Sequence, residues 1–165
     1  MINIVLYEPE IPENTGNIMR TCAATNSTLH LIEPFGFILD EKRIKRSGVN
    51  YIYKVNYRSY VDFNEFLENN DGDFYFFTRY GNKVYSDINF NNTSRNIYLI
   101  FGKESTGIPK KLLYNNLDKC YRIPTSDNVR ALNLSNCVAI VTYEVLRQQN
   151  FPDLFFNDPF KGNIF

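Results

Sequence analysis

Three short stretches of this 165-residue chain carry side chains able to hold and polarise a reacting ligand. The first, EPEIPENTGNIMRTCAATN (residues 8–26), places Arg20 six residues beyond Asn14. Its two prolines suggest an extended lead-in, with Asn14 as the cap of a helix behind it. The guanidinium of Arg20 could then reach toward whatever sits above the helix start, or serve as an ordinary surface ion-pair partner. The second, LIFGKESTGIP (99–109), brackets a polar loop with Gly102 and Gly107. A glycine after a buried strand lets a flat ligand touch the backbone, and open α/β sheets bind ligands beyond the carboxyl ends of their strands. The third, RIPTSDNVRALNLSN (122–136), gathers Arg130, Asn133, Ser135 and Asn136 at the start of an apolar segment. Exposed N–H groups at a helix start, with small polar side chains, can grip a ligand. Helix capping accounts for one of these residues but not for the whole group.

Several familiar chemistries are excluded. A phosphate-binding P-loop needs glycine five residues before the Gly-Lys pair and a hydroxyl residue after it, where this chain has Ile97 and Glu104. A nucleophile elbow at Ser105 needs glycine two residues earlier, where Lys103 stands. No GxGxxG occurs. Cys22, Cys120 and Cys137 show no CxxC spacing and His30 is the single histidine, so neither a disulfide framework nor a metal cage is expected. His30, in LHLIEP, is read as structural.

The net charge is zero, with 18 basic and 18 acidic residues, so the whole-molecule field does not attract polyanions. Its distribution is uneven. Residues 40–58 hold six cations against two carboxylates, whereas 59–75 hold five carboxylates and no cation. The run DEKRIKRSG, with Lys42, Arg43, Lys45 and Arg46, is either a solvated helix face or a phosphate-contacting patch.

The elements that must position these loops are short apolar runs with helical stretches between them. INIVLY (2–7), LHLI (29–32), FYFFT (74–78) and IYLIF (97–101) predict strands buried on both faces. Helical character at 14–25, 60–69 and 109–115 makes the pattern α/β, a mostly parallel sheet flanked by helices. One domain is expected over 1–150, with the aromatic tail 151–165 packed on it. Residues 90–95 and the tail read as the least structured stretches. The last helix, 133–149, has apolar residues nearly all round, which predicts one face on the sheet and the other against a second copy, a homodimer. No apolar run is long enough to span a bilayer and no secretory leader opens the chain, so a cytoplasmic protein without membrane contact is expected.

Taken in order, NTGNIMRTCAATN, FGKESTGIP and IPTSDNVRALNLSNCVAIVTYEVLRQ resemble the three motifs of the SpoU branch of the SPOUT RNA methyltransferases. The likeness is strongest to the short enzymes that methylate the ribose of cytidine or uridine 34 in tRNA. It runs over about 150 residues, through INIVLYEPEIP, LHLIEPFGF and DEKRIKRSGVNY. The resemblance implies a C-terminal trefoil knot, S-adenosylmethionine (SAM) as cosubstrate without a metal, a dimer, and 2′-O-methylation in the tRNA anticodon stem-loop. Carried over by position, Phe77 or Thr78, Gly102, Ile123, Ala131 and Leu132 would bind SAM. Arg20, with Asn14, Asn133 and Ser135, would be catalytic. Lys42, Arg43, Lys45 and Arg46 would become phosphate contacts. Three positions depart from the family pattern: Ala131 stands where serine is common, Lys103 where proline or a small residue is, and Asn26 where glycine is. Left-handed backbone at Asn26 would be tolerated, since asparagine is among the residues enriched there. The competing readings are a methyltransferase acting on ribosomal RNA and a non-catalytic RNA-binding dimer. The lack of an appended RNA-binding domain favours the small tRNA substrate.

Overall fold

The computed structural model describes residues 1–39, 55–91 and 94–160. Seven strands form one sheet: β1 (Ile2–Tyr7), β2 (Thr28–Ile32), β3 (Tyr57–Tyr60), β4 (Asp73–Phe77), β5 (Lys83–Val84), β6 (Ile97–Phe101) and β7 (Cys120–Arg122). Their order is β3-β2-β1-β6-β4-β7-β5, and every pair is parallel. The helices are α1 (Pro12–Thr25), α2 (Phe63–Asn69), α3 (Lys110–Tyr114) and α4 (Leu134–Gln148). Strands β3 and β5, too short and polar to stand out in the sequence, extend the two edges of the expected sheet.

The central strands are mostly apolar because their side chains alternate between two cores. Ile2, Ile4 and Leu6 of β1 join Ile97, Leu99 and Phe101 of β6 beneath α1 and α4, with Ile18, Met19, Val138 and Val141. Val5, Tyr98 and Ile100 face the other way, onto Phe63 and Phe66 of α2 and Leu113 of α3. The strands all run in one direction, so the loops after β1, β4, β6 and β7 emerge at one edge. There the chain doubles back: β7 lies beyond β4, yet α4, which follows it, packs on α1 and β6. Residues 123–133 make that return.

Two helix starts differ from the sequence reading by more than one residue, for local reasons. Helix α1 starts two residues before Asn14. Ile11 is its cap and Pro12 takes the first helical position, where a missing N–H costs nothing. Asn14 is therefore a buried side chain of the first turn rather than the cap. Helix α2 starts at Phe63, where Asp62 accepts a bond from the Glu65 N–H, because Tyr60 is held in β3. Asn26 does take left-handed backbone, with φ 52°, where α1 ends.

Phe90 is not loosely held. It is fully buried, its N–H donates to Gln148 (2.8 Å), and Gln149 donates to its carbonyl (3.1 Å), so this loop is fastened to the end of α4. Within the tail, Phe151 and Leu154 pack on the core, while Phe155, Phe156 and Phe160 are exposed.

His30 is buried on the α2 side in a fully directed polar chain. Its Nε2 lies 3.1 Å from the Asn3 side-chain oxygen, and its Nδ1 lies 2.9 Å from the Tyr60 hydroxyl. The Asn3 amide already donates to the Ile97 carbonyl, which leaves its oxygen as the acceptor. Nε2 therefore carries the proton, and Nδ1 accepts from Tyr60. Asn70 in turn donates to Tyr60 and accepts from Tyr98. Burial, and then the charge of Arg58, push the His30 pKa down to about 4, so the folded ring is neutral. The unfolded ring takes up a proton near the ordinary value of about 6.5, so between these two values the unfolded state binds more protons and stability falls as pH falls. Wild type is expected to lose about 2 kcal/mol of stability from this group between pH 7 and pH 5. His30→Gln should lose that share of the pH slope. Urea unfolding at the two pH values checks both; equal slopes would remove His30 as the cause.

Candidate active site

The loops after β1, β4, β6 and β7 and the start of α4 enclose one cavity of about 470 Å³ at the carboxyl edge of the sheet. Its floor is apolar, with Phe77 and Phe101 stacked at a ring separation of 5.0 Å beside Ile108, Ile123 and Leu132. Its upper wall is backbone and polar groups from residues 102–107 and 130–133. Gly102 is required by close approach of backbone to backbone. A Cβ there would lie 2.1 Å from the Gly107 carbonyl carbon and from the Ile108 nitrogen. Gly107 turns the loop at φ +76°, and its N–H closes on the Lys103 carbonyl at 2.9 Å.

The loops after β1 and β6 are locked together by reciprocal carboxylates. Lys103 donates to Glu8 at 2.5 Å, a partly buried ion pair that raises the lysine pKa. Glu10 accepts from the Ser105 hydroxyl and N–H, both at 2.8 Å, and these bonds hold its carboxyl below the usual range. Glu104 reaches back in the opposite direction, accepting from the Glu10 N–H (2.8 Å), the Ile11 N–H (3.3 Å) and the Asn14 amide (2.9 Å).

From Glu104 a single line of hydrogen bonds crosses the site. The Asn14 amide donates to Glu104, so its oxygen is turned toward Asn133, whose amide donates to it at 2.8 Å. The Asn133 oxygen is thereby aimed at Ser135, accepting from the Ser135 N–H (2.9 Å) and hydroxyl (2.7 Å). One carboxylate thus sets the orientation of two amides and a hydroxyl from the starts of two helices. Asn133 is also the cap of α4, so capping and site geometry are the same contact.

Of the residues singled out in the sequence, Asn14, Phe77, Thr78, Gly102, Ile123, Ala131, Leu132 and Asn133 all line the cavity. Ser135 is not among the lining residues and is joined to them through Asn133. Arg20 is exposed on α1 and is not among the cavity-lining residues of a single protomer. Lys42, Arg43, Lys45 and Arg46 lie outside the described residues. Sequence reasoning missed Glu104, whose partners are some 90 residues away and leave no local periodicity, and the Arg79–Tyr80 turn at the mouth. Cys137 also lines the cavity, but burial raises its pKa and keeps it a thiol. Among the described residues, no three His, Cys, Asp or Glu side chains come together as a metal site needs, and no helix is long and apolar enough to cross a membrane.

Comparison with known proteins agrees with this geometry. The profile of the SpoU rRNA methylase family matches residues 1–143. A Geobacillus stearothermophilus relative is 52% identical over 154 residues, covering 93% of this chain and 98% of its own. The tRNA (cytidine(34)-2′-O)-methyltransferase of Escherichia coli K12 is 41% identical over 160 residues, covering 96% of this chain and 100% of that protein. A solved structure described as giving insight into the 2-OH methylation of C/U34 on tRNA superposes with a TM-score of 0.83 at 37% identity, covering 91% of this chain and 97% of the other. With the match running from the first strand into the last helix, the chain belongs to the SpoU methylase family.

Proposed function

We propose that this protein transfers a methyl group from SAM to the ribose 2′-hydroxyl of nucleotide 34, cytidine or uridine, in the tRNA anticodon loop. The observation that carries the reading is the convergence of Asn14, Gly102 and Asn133, from three distant loops, on one cavity in a chain aligned end to end with a tRNA (cytidine(34)-2′-O)-methyltransferase.

The cavity suits SAM. Its stacked aromatic floor and apolar sides would take a flat purine, and the 102–107 loop, where a Cβ at position 102 would meet backbone, offers peptide groups for hydrogen bonding. Phe77 or Thr78, Gly102, Ile123, Ala131 and Leu132 would hold it. When bound, SAM supplies an activated methyl group on a sulfonium. The work left to the protein is to align the ribose oxygen with that methyl and to stabilise the charge left as its proton departs. Asn14, Asn133 and Ser135, held in fixed orientation by Glu104, provide a preorganised polar wall for that oxygen. No metal is needed for this chemistry.

A homodimer through α4 is part of the same proposal. Tyr143 is 46% exposed on a helix whose other face is fully buried, and α1, carrying Arg20, packs beside it. Pairing through α4 would set Arg20 next to the interface, so that the RNA site spans two copies. The family's knot accords with the return of residues 123–133 across the sheet edge. A protein acting on tRNA is expected in the cytoplasm.

The test has two arms. Isothermal titration with SAM in the presence of chelator should give binding, and nucleoside mass spectrometry of tRNA from a strain lacking the gene should show loss of the 2′-O-methyl group at position 34. No heat at tens of micromolar protein, or unchanged tRNA, would overturn the assignment. Sedimentation of a stable monomer at micromolar concentration would overturn the dimer.

A further inference from the structure

The cavity mouth has two chemically different sides. On the side of α1 the charges are internally satisfied: Glu8, Glu10 and Glu104 each accept from Lys103, Ser105 or Asn14. From the side of β4 and β7 the charged residues that line the mouth are Arg79, Arg122 and Arg130. Arg79, Lys110, Arg122 and Arg130 are all exposed, and none forms an ion pair with a described carboxylate. Arg79 lies against one side chain, that of Tyr80. Arg79 donates to the Tyr80 hydroxyl and sits 4.6 Å from the centre of its ring, and Lys110 and Arg130 are near enough to act on the same phenol.

Tyr80 itself is 51% exposed, and no other ring among the described residues packs on it. Its backbone is fixed: the Tyr80 N–H bonds the Thr78 hydroxyl (3.3 Å), and the Gly81 N–H bonds the Thr78 carbonyl (3.1 Å). A Cβ at Gly81 would lie 2.5 Å from the Tyr121 carbonyl carbon, so this turn is pressed against β7. An aromatic ring is thus presented to solvent on a held turn, with a guanidinium against it and Arg122 and Arg130 on the same cavity lining. Solvation alone does not require an exposed ring with a guanidinium against it.

We propose that Arg79, Tyr80, Lys110 and Arg130 form an RNA-contacting rim, the cations taking backbone phosphates and the Tyr80 ring stacking on an unpaired base beside the reacting nucleotide. Single-stranded RNA is held by this combination, a cationic track with aromatic platforms, because every base has a stacking face and every linkage a charge. The rim answers how a chain with no net charge attracts a polyanion, since its positive field is local to the mouth where the ribose must enter. The proposal rests on the methyltransferase reading for the identity of the RNA.

The test is tRNA binding by the full-length protein across a salt series, with SAM titration alongside. Tyr80→Ala should weaken tRNA binding about tenfold. Arg79→Gln with Lys110→Gln should lower the slope of log affinity against log salt by about 1.4, two phosphates at about 0.7 each. SAM affinity should stay within about threefold in all of them, which also verifies that the variants are folded. Unchanged tRNA affinity and slope would overturn the rim, and so would a loss of SAM affinity in step with tRNA affinity, which would assign the cations to the carboxylate of SAM. A wild-type protein that binds neither SAM nor tRNA would instead overturn the methyltransferase reading, whereas one that binds both while the substitutions do nothing overturns the rim alone.

Discussion

Replacing Arg20 with alanine is expected to slow tRNA methylation at least about a hundredfold while leaving SAM binding intact. Arg20 is exposed and is not among the residues that line the cavity. Its expected place is against the RNA. A guanidinium keeps its proton in proteins, which makes an arginine acting alone a poor general base. Near the reacting 2′-oxygen, or near a neighbouring phosphate able to take the proton, it would stabilise negative charge as that charge develops. Removing one such donor costs on the order of 10²–10³ in turnover, about 3–4 kcal/mol. Arg20→Lys keeps the charge without the planar fork and should recover only part of the rate. Single-turnover methylation at saturating tRNA decides the matter: a rate for Arg20→Ala within about threefold of wild type would leave Arg20 a positioning or structural residue.

The sequence shows the sheet's centre and the ordering of the site loops because both are local signals. Ile2–Tyr7 and Ile97–Phe101 are apolar runs that only a two-sided core explains, and their observed ends match the expected ones. Edge strands carry little of that signal: Tyr57–Tyr60 buries one residue fully, and Lys83–Val84 is two residues long. Within the site, Asn14, Gly102 and Asn133 were visible as residue types next to turns. What joins them was not. Glu104 stands in a polar loop with nothing to mark it, and its partners arrive because β1 and β6 are neighbours in the sheet, a fact of topology rather than of spacing. The same holds for Arg79 and Arg130, 51 positions apart in sequence and brought to one cavity by the fold.

That topology leads to the second large effect, at Glu104. Its carboxylate accepts two backbone N–H groups from the lead-in to α1 and one from the Asn14 amide. Glu104→Ala strands these donors, and hydrogen bonds to a charged group contribute about 1.5–3 kcal/mol each. If about 3 kcal/mol of that ordering is felt at the reacting oxygen, methylation falls about a hundredfold. Glu104→Gln is a sharper probe. A glutamine offers an NH₂ where only donors face it, so at least one contact becomes donor against donor, and an intermediate loss is expected. A residue that merely stiffened the loop would act independently of Asn133. Glu104 acting through the amides would not: once Asn133→Ala has broken the line between Asn14 and Ser135, losing Glu104 as well should cost much less than it does alone. The double-mutant cycle, measured as single-turnover rate with thermal melting to verify folding, separates the two. Additive losses would reduce Glu104 to a loop brace, and a Glu104→Ala rate within about threefold of wild type would remove it from the site altogether.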